Sequence, residues 1–221
     1  MITLHHLNNS RSQRLIWLFE ELELDYSIER YERDAQTMLA PAALKNIHPL
    51  GKSPVITDDG RVFAESGAII DYVLHRYGPQ FVPEPNTDAY YQMNYWLHFA
   101  EGSLMPPLLL TLVFDKVRTS PMPFFAKPIA KAIAAKVNSA FVRPNVIATL
   151  NFIEAHLATH PWFAGNQLTG ADFQMSFPLE AAQARGLVDR RYPNIERFLR
   201  HVHERPAYQR GLAKGGDYAY A

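Results

Sequence analysis

A chain of 221 residues, 48 % hydrophobic and 12 % aromatic, is long enough for one large core or two smaller ones and too apolar to be disordered. Lysine plus arginine equals aspartate plus glutamate at 22 each, so no global field draws the chain to nucleic acid or an anionic membrane. Cysteine is absent, which excludes disulfides, thiolate metal sites and a protein thiol nucleophile; thiol chemistry here has to use a ligand's sulfur.

The amino terminus, MITLHHLNNS, lacks the basic and long apolar segments of a secretory signal. The longest apolar runs, such as MPPLLLTLVF, are too short and too proline-broken to span a bilayer. A soluble cytoplasmic protein without a membrane span is expected.

MITLHH and DYSIERYE read as short strands around a helix that begins near Ser10. In that helix Leu15, Leu18, Phe19 and Leu22 recur at i, i+3, i+4 and i+7, one apolar face, with Glu20, Glu21 and Glu23 off it. Strand, helix and strand make a unit whose two strands run parallel. A second helix is expected over about 36–47, and VITDDGRVFA reads as a hairpin turning at Asp59-Gly60. The next helix, ESGAIIDYVLHRYG, buries Ile69, Ile70, Val73, Leu74 and Tyr77 and ends at Gly78.

GPQFVPEPNT is a linker, and beyond it the β signal disappears. DAYYQMNYWLHFAEGSLM is amphipathic, with Pro106-Pro107 expected to bend or stop it. PIAKAIAAKVNSAF puts Ile129, Ile133, Val137 and Phe141 on one side, and three further helices follow. The fold class is therefore α/β plus all-α: a βαβαββα domain over 1-80 and a helical bundle over 88-221.

Ser10 to Gln13 spells S-x-x-Q, the spacing of a capping box. The same helix start offers unpaired N–H groups and partial positive charge to an anion, with Asn8, Asn9 and Ser12 as further donors. HPLGKSPVI places Ser53-Pro54 before a strand. That proline is either an edge feature or part of a cis peptide that turns Ser53's backbone toward a ligand. Lys52 beside it reads alone as a solvated charge. AESGAIIDYV puts Glu65 and Ser66 at a helix entrance. Ser66 can be a plain N-cap, or can bind a carboxylate while Glu65 accepts from an ammonium. One small zwitterion satisfies both. In QLTGADF, Thr169 and Asp172 have capping-box spacing and Leu168 and Phe173 staple spacing, which assigns Asp172 to folding, not to catalysis. The histidines have poor metal geometry: His5-His6 face opposite ways on a strand, and His201 and His203 diverge on a helix. No metal site is expected.

Taken together in this order, these motifs resemble the cytosolic-type glutathione transferases, closest to a serine-type branch shared by fungi and bacteria. NSRSQRLIWLFEEL, FAEGSLMPPL and MSFPLEAA carry the likeness to that branch, and it covers essentially the whole chain. The resemblance implies a thioredoxin-like first domain, a helical second domain and a homodimer. Glutathione is implied as co-substrate and a small hydrophobic electrophile as its partner, with organic hydroperoxide reduction as a companion activity. Ser10 matches the hydroxyl that stabilises the glutathione thiolate, with Asn9 as its rival. Lys52 corresponds to the contact with the glycine carboxylate, Ser53 to the main-chain pair with the cysteinyl segment, Pro54 to the cis-proline, and Glu65 and Ser66 to the γ-glutamyl contacts. Ser53 replaces the branched aliphatic residue usual there. Tyr91, Tyr95 and Met105 are the expected wall for the electrophile. The alternatives are a glutathione-dependent disulfide reductase without a protein thiol, and a non-catalytic interaction module of the same fold.

Overall fold

In the computed structural model, which describes residues 1–221, strand β1 (Ile2–Leu7) leads into helix α1 (Gln13–Glu21) and strand β2 (Tyr26–Tyr31). β1 and β2 run parallel, with Leu4 opposite Ile28, because the helical crossover returns the chain to the end where β1 began. β3 (Val55–Asp58) and β4 (Arg61–Ala64) form the expected hairpin. Asp59 and Gly60 both take positive φ, 48° and 77°, the geometry of a primed two-residue turn. β3 pairs antiparallel with β1, giving the order β2-β1-β3-β4. Helix α2 (Ser66–Tyr77) buries Ile69, Ile70, Val73 and Leu74.

The helix expected over 36–47 is not there. Only a short 3-10 helix, Ala42–Asn46, forms. The Asp34 carboxylate accepts from the amides of Gln36 and Thr37 at 3.0 and 2.7 Å, and Met38 sits at φ 61°. A side chain that captures these amides competes with the helical ladder, and Pro41 removes another donor.

The rest of the chain is helical: α3 (Asp88–Phe99), α4 (Met105–Thr119), α5 (Lys127–Val137), α6 (Arg143–Leu157), α7 (Gly170–Ala184), α8 (Pro193–His203) and α9 (Pro206–Gly215). Pro106-Pro107 neither stop the run nor separate its halves. A π-helical turn, Ala100–Leu104, joins α3 to α4, and the prolines fall in the first turn of α4. The wider π turn accommodates the missing donors. The resulting 32-residue run, Asp88–Thr119, is long and apolar enough to cross a membrane by length and composition, contrary to the expectation from its prolines. Its Met93, Trp96, Leu97, Leu104 and Leu108 belong to the protein's main core.

Most of the apolar face expected on α5 is also not buried: Ile129, Ile133 and Phe141 are exposed, while Val137 is half-buried against the core and Ala134 packs inward. α5 lies against α4, and a small side chain permits that close approach. α1 differs in the opposite sense. Beyond its expected face, Gln13, Arg14, Ile16, Trp17 and Glu20 are buried too, because α7 and α9 pack on it from the helical side. Glu20 is held there by Tyr26 Oη at 2.7 Å, Arg210 Nε at 3.0 Å and Lys214 Nζ at 2.5 Å. One apolar cluster, from Ile2 to Tyr208, runs through both lobes.

The Thr169–Asp172 element forms as expected. Asp172 is fully buried and accepts from the amides of Phe163 and Thr169, each at 2.8 Å. Burial pushes its carboxyl up to about 7, against the pull of these donors.

Candidate active site

A cleft of about 600 Å³ lies between the lobes, within the size range of small-molecule sites. One side is built by the loop before β3 and the β4–α2 junction, with Lys52, Ser53, Pro54, Glu65 and Ser66 all on its lining. The Ser53-Pro54 peptide is cis, and the Ser53 hydroxyl donates to the His5 carbonyl at 3.1 Å. Lys52 is exposed and Ser66 is 4 % exposed. Ser66 is not the N-cap that its position suggests. Glu65 takes that place with φ 69°, and Ser66 is the first helical residue. A glutamate in the left-handed region is strained, and such strain concentrates at ligand clamps.

The opposite side differs more from expectation. The wall at the start of α1 is made by Leu7 and Arg11. The S-x-x-Q capping box does not form: α1 begins at Gln13, with Ser12 as its cap residue in helical geometry. Ser10 is 4 % exposed and pairs inward, its hydroxyl 2.8 Å from that of Ser12, which in turn lies 2.8 Å from His6 Nδ1. Burial pushes the His6 imidazole down to about 4, so it is neutral at ordinary pH. Asn9, at φ 47°, uses its side-chain oxygen to accept from the Ala219 amide at 2.8 Å. Neither Ser10 nor Asn9 lines the cleft.

Tyr91, Tyr95 and Met105 are not brought to this cleft either. α3 turns Met93, Trp96 and Leu97 inward, which sends Tyr91 and Tyr95 to the outer surface, 58 % and 46 % exposed. Met105 is half-buried against the core. The apolar part of the lining includes Leu7, Met38, Leu39, Leu50 and Leu109 instead.

Four basic side chains besides Lys52 line the cleft: Arg11, Arg33, Lys45 and His48. No motif in the sequence marks these four as site residues, nor Glu101. Arg11 Nε lies 3.0 Å from both Glu101 oxygens, and Arg14 Nη2 lies 2.6 Å from Glu101 Oε1. Burial alone raises the Glu101 carboxyl, but Arg14 and Arg11 together hold it below the usual range. A local signal for this network exists in Arg14, a charge four residues before Leu18 on the buried phase of α1, which demands a partner.

A four-stranded sheet flanked by helices, a cis-proline beside a basic cleft and an attached helical lobe define a thioredoxin-like protein with a second, all-helical domain. Comparison with known proteins agrees. The model of the glutathione S-transferase N-terminal domain matches residues 10–76, and that of the C-terminal domain matches 133–206. The chain is 41 % identical to glutathione S-transferase 3 of Schizosaccharomyces pombe, over 98 % of this chain and 89 % of that one. It is 36 % identical to glutathione S-transferase 1 of Saccharomyces cerevisiae, over 94 % and 92 %. A crystal structure of a glutathione S-transferase from Actinobacillus pleuropneumoniae superposes with a TM-score of 0.82 at 37 % identity, covering 99 % of this chain and 94 % of that one. The chain belongs to the glutathione S-transferase family.

Proposed function

We propose that this enzyme binds glutathione in the interlobe cleft and adds its thiolate to small hydrophobic electrophiles. Hydroperoxide reduction would be a second use of the same thiolate. Residues 1-80 are taken as the glutathione-binding domain and 88-221 as the helical domain. The observation that carries the reading is the opposition of charge around Ser53-Pro54: the basic set Lys45, Lys52 and His48 on the lining, with Glu65 and Ser66 at the head of α2. Glutathione has two carboxylates and one ammonium. Lys52 meets the glycine carboxylate, the Ser53 main chain pairs with the cysteinyl segment, Pro54 supports it, and Glu65 and Ser66 hold the γ-glutamyl end. The sulfur then lies toward the start of α1, near Asn9, Ser10 and Arg11, with the electrophile against Leu39 and Leu109. A free thiol near pKa 8.5 is only a few per cent ionised at neutral pH, so the site's task is to stabilise the anion and hold it beside its target.

We take the protein to be a cytoplasmic homodimer, the β-containing domain of one subunit against the helical domain of the other. Exposed Val62, Tyr91 and Tyr95 suit such an interface, and sedimentation velocity tests it. The functional test is a panel of three reactions with glutathione: an aryl chloride, an organic hydroperoxide and a small mixed disulfide. Turnover of the aryl chloride supports the transferase reading. Turnover of the disulfide alone would make the protein a reductase, and glutathione binding without turnover would make it a binding module.

A further inference from the structure

On the cleft wall at the start of α1 stand an apolar residue, Leu7, and a cation, Arg11. The hydroxyl of Ser10 is engaged by Ser12, whose amide also points at it from 3.3 Å. The side-chain oxygen of Asn9 is occupied by the Ala219 amide. Of the polar side chains Asn9, Ser10, Arg11 and Ser12, only Arg11 is on the cleft lining.

Arg11 is held firmly enough to serve. Its Nε donates to both oxygens of Glu101 at 3.0 Å, and its guanidinium carbon lies 5.5 Å from the centre of the Phe177 ring. Its two Nη groups are not used by these contacts, and the side chain is 35 % exposed, so those donors remain available to a ligand. Glu101 is fixed in turn by Arg14, whose side chain is fully buried and stacks on the same Phe177 ring at 5.6 Å. The π turn between α3 and α4 carries Glu101, and an extra residue in a helical turn is a common way to aim one side chain at a site. Two arginines and one glutamate leave a net charge of one positive unit at the cleft edge. A fixed cation in a partly desolvated site stabilises an adjacent anion far more than it does in water.

We propose that Arg11, positioned by Glu101, Arg14 and Phe177, is the catalytic group that stabilises the glutathione thiolate. The inference rests on the reading that glutathione occupies this cleft. The thiol proton leaves to solvent, the S–H electron pair stays on sulfur, and that pair forms the new S–C bond as the C–Cl bond of an aryl chloride breaks and chloride leaves to solvent with its electron pair. Arg11 stays protonated throughout and takes no proton.

The test is a pH titration of the ultraviolet thiolate absorbance of glutathione bound to wild type, Arg11→Gln, Arg11→Lys, Glu101→Gln and Ser10→Ala. Binding of S-methylglutathione, which has no thiol to ionise, is measured alongside. Arg11→Gln should raise the bound thiol's pKa by about one unit or more, a roughly tenfold loss of thiolate below the pKa, while S-methylglutathione affinity changes less than about threefold. Arg11→Lys keeps the charge without the planar fork and should fall between. Glu101→Gln removes a negative charge, so charge counting alone lowers the thiol pKa; if Glu101 positions Arg11, the pKa rises. An unchanged pKa in Arg11→Gln, or a shift confined to Ser10→Ala, overturns the assignment to Arg11. A lowered pKa in Glu101→Gln overturns the positioning role. Failure of wild type to bind either peptide overturns the glutathione reading itself, and is distinguishable from both.

Discussion

Replacing Asp172 with alanine separates a structural carboxylate from a catalytic one. The side chain is fully buried and accepts from the Phe163 and Thr169 amides at 2.8 Å each and from the Thr169 hydroxyl at 3.1 Å. Phe163 and Thr169 are themselves buried, so the freed amides have no route to water. Each unsatisfied buried donor costs about 1–3 kcal/mol, giving about 4 kcal/mol for two; the hydroxyl can rotate and adds little. Relief from burying a carboxyl that stands at about 7 offsets part of this. The net expectation is a loss of about 3 kcal/mol, or about 6–12 °C in Tm for a chain of this size. Urea unfolding followed by tryptophan fluorescence, with calorimetry, gives the number, and Asp172→Asn, which keeps one acceptor, should lose about half as much. The transferase kcat, measured where the variant is fully folded, should not change. A stability loss under about 1 kcal/mol, or a collapse of kcat in the folded variant, would refute the reasoning.

Other outcomes follow from the same geometry. Burial holds the His6 imidazole at about 4, so between pH 6.5 and 4 the unfolded chain takes up a proton that the folded one refuses. Its contribution is therefore constant above pH 6.5 and is lost as pH falls through that window, by up to about 3 kcal/mol at ~1.36 kcal/mol per unit; His6→Asn should flatten this part of a stability–pH curve. Glu20→Ala removes the acceptor that joins α1 to α9. Its partners Arg210 and Lys214 are about half exposed and can reach water, so the expected loss is only about 1–2 kcal/mol, read from the urea midpoint. Ser66→Ala should weaken glutathione binding about ten- to a hundredfold, the scale of one hydrogen bond to a charged group, as measured by calorimetric titration without electrophile.

Much of the first lobe was legible because its signals are local. The stripe Leu15, Leu18, Phe19 and Leu22 and the Asp59-Gly60 turn each determine their element within a few residues. The set Lys52 to Pro54 with Glu65 and Ser66 also reached the cleft together. What escaped depends on partners distant in sequence. Arg11 meets Glu101 ninety residues away, and nothing in FAEGSLM marks a π turn. Ser10 stands three residues ahead of α1, not at its cap, and the direction of its hydroxyl is decided by Ser12 and His6. The periodicity of α5 was real, but periodicity finds an apolar face without telling whether anything packs on it, and Ile129 and Ile133 face outward.

The burial of α1 on every side constrains how such proteins can be recombined. The helix belongs by sequence to the first lobe, but α7 and α9 close around it, and Gly211 of α9 approaches the Trp17 backbone so closely that a Cβ there would stand 3.3 Å from its nitrogen. A chimera that joins the first half of this chain to the second half of a relative must therefore inherit α1 and α9 from one parent. A crossover placed at the Gly78–Thr87 linker, where the chain looks most divisible, cuts through the most tightly fitted seam in the molecule.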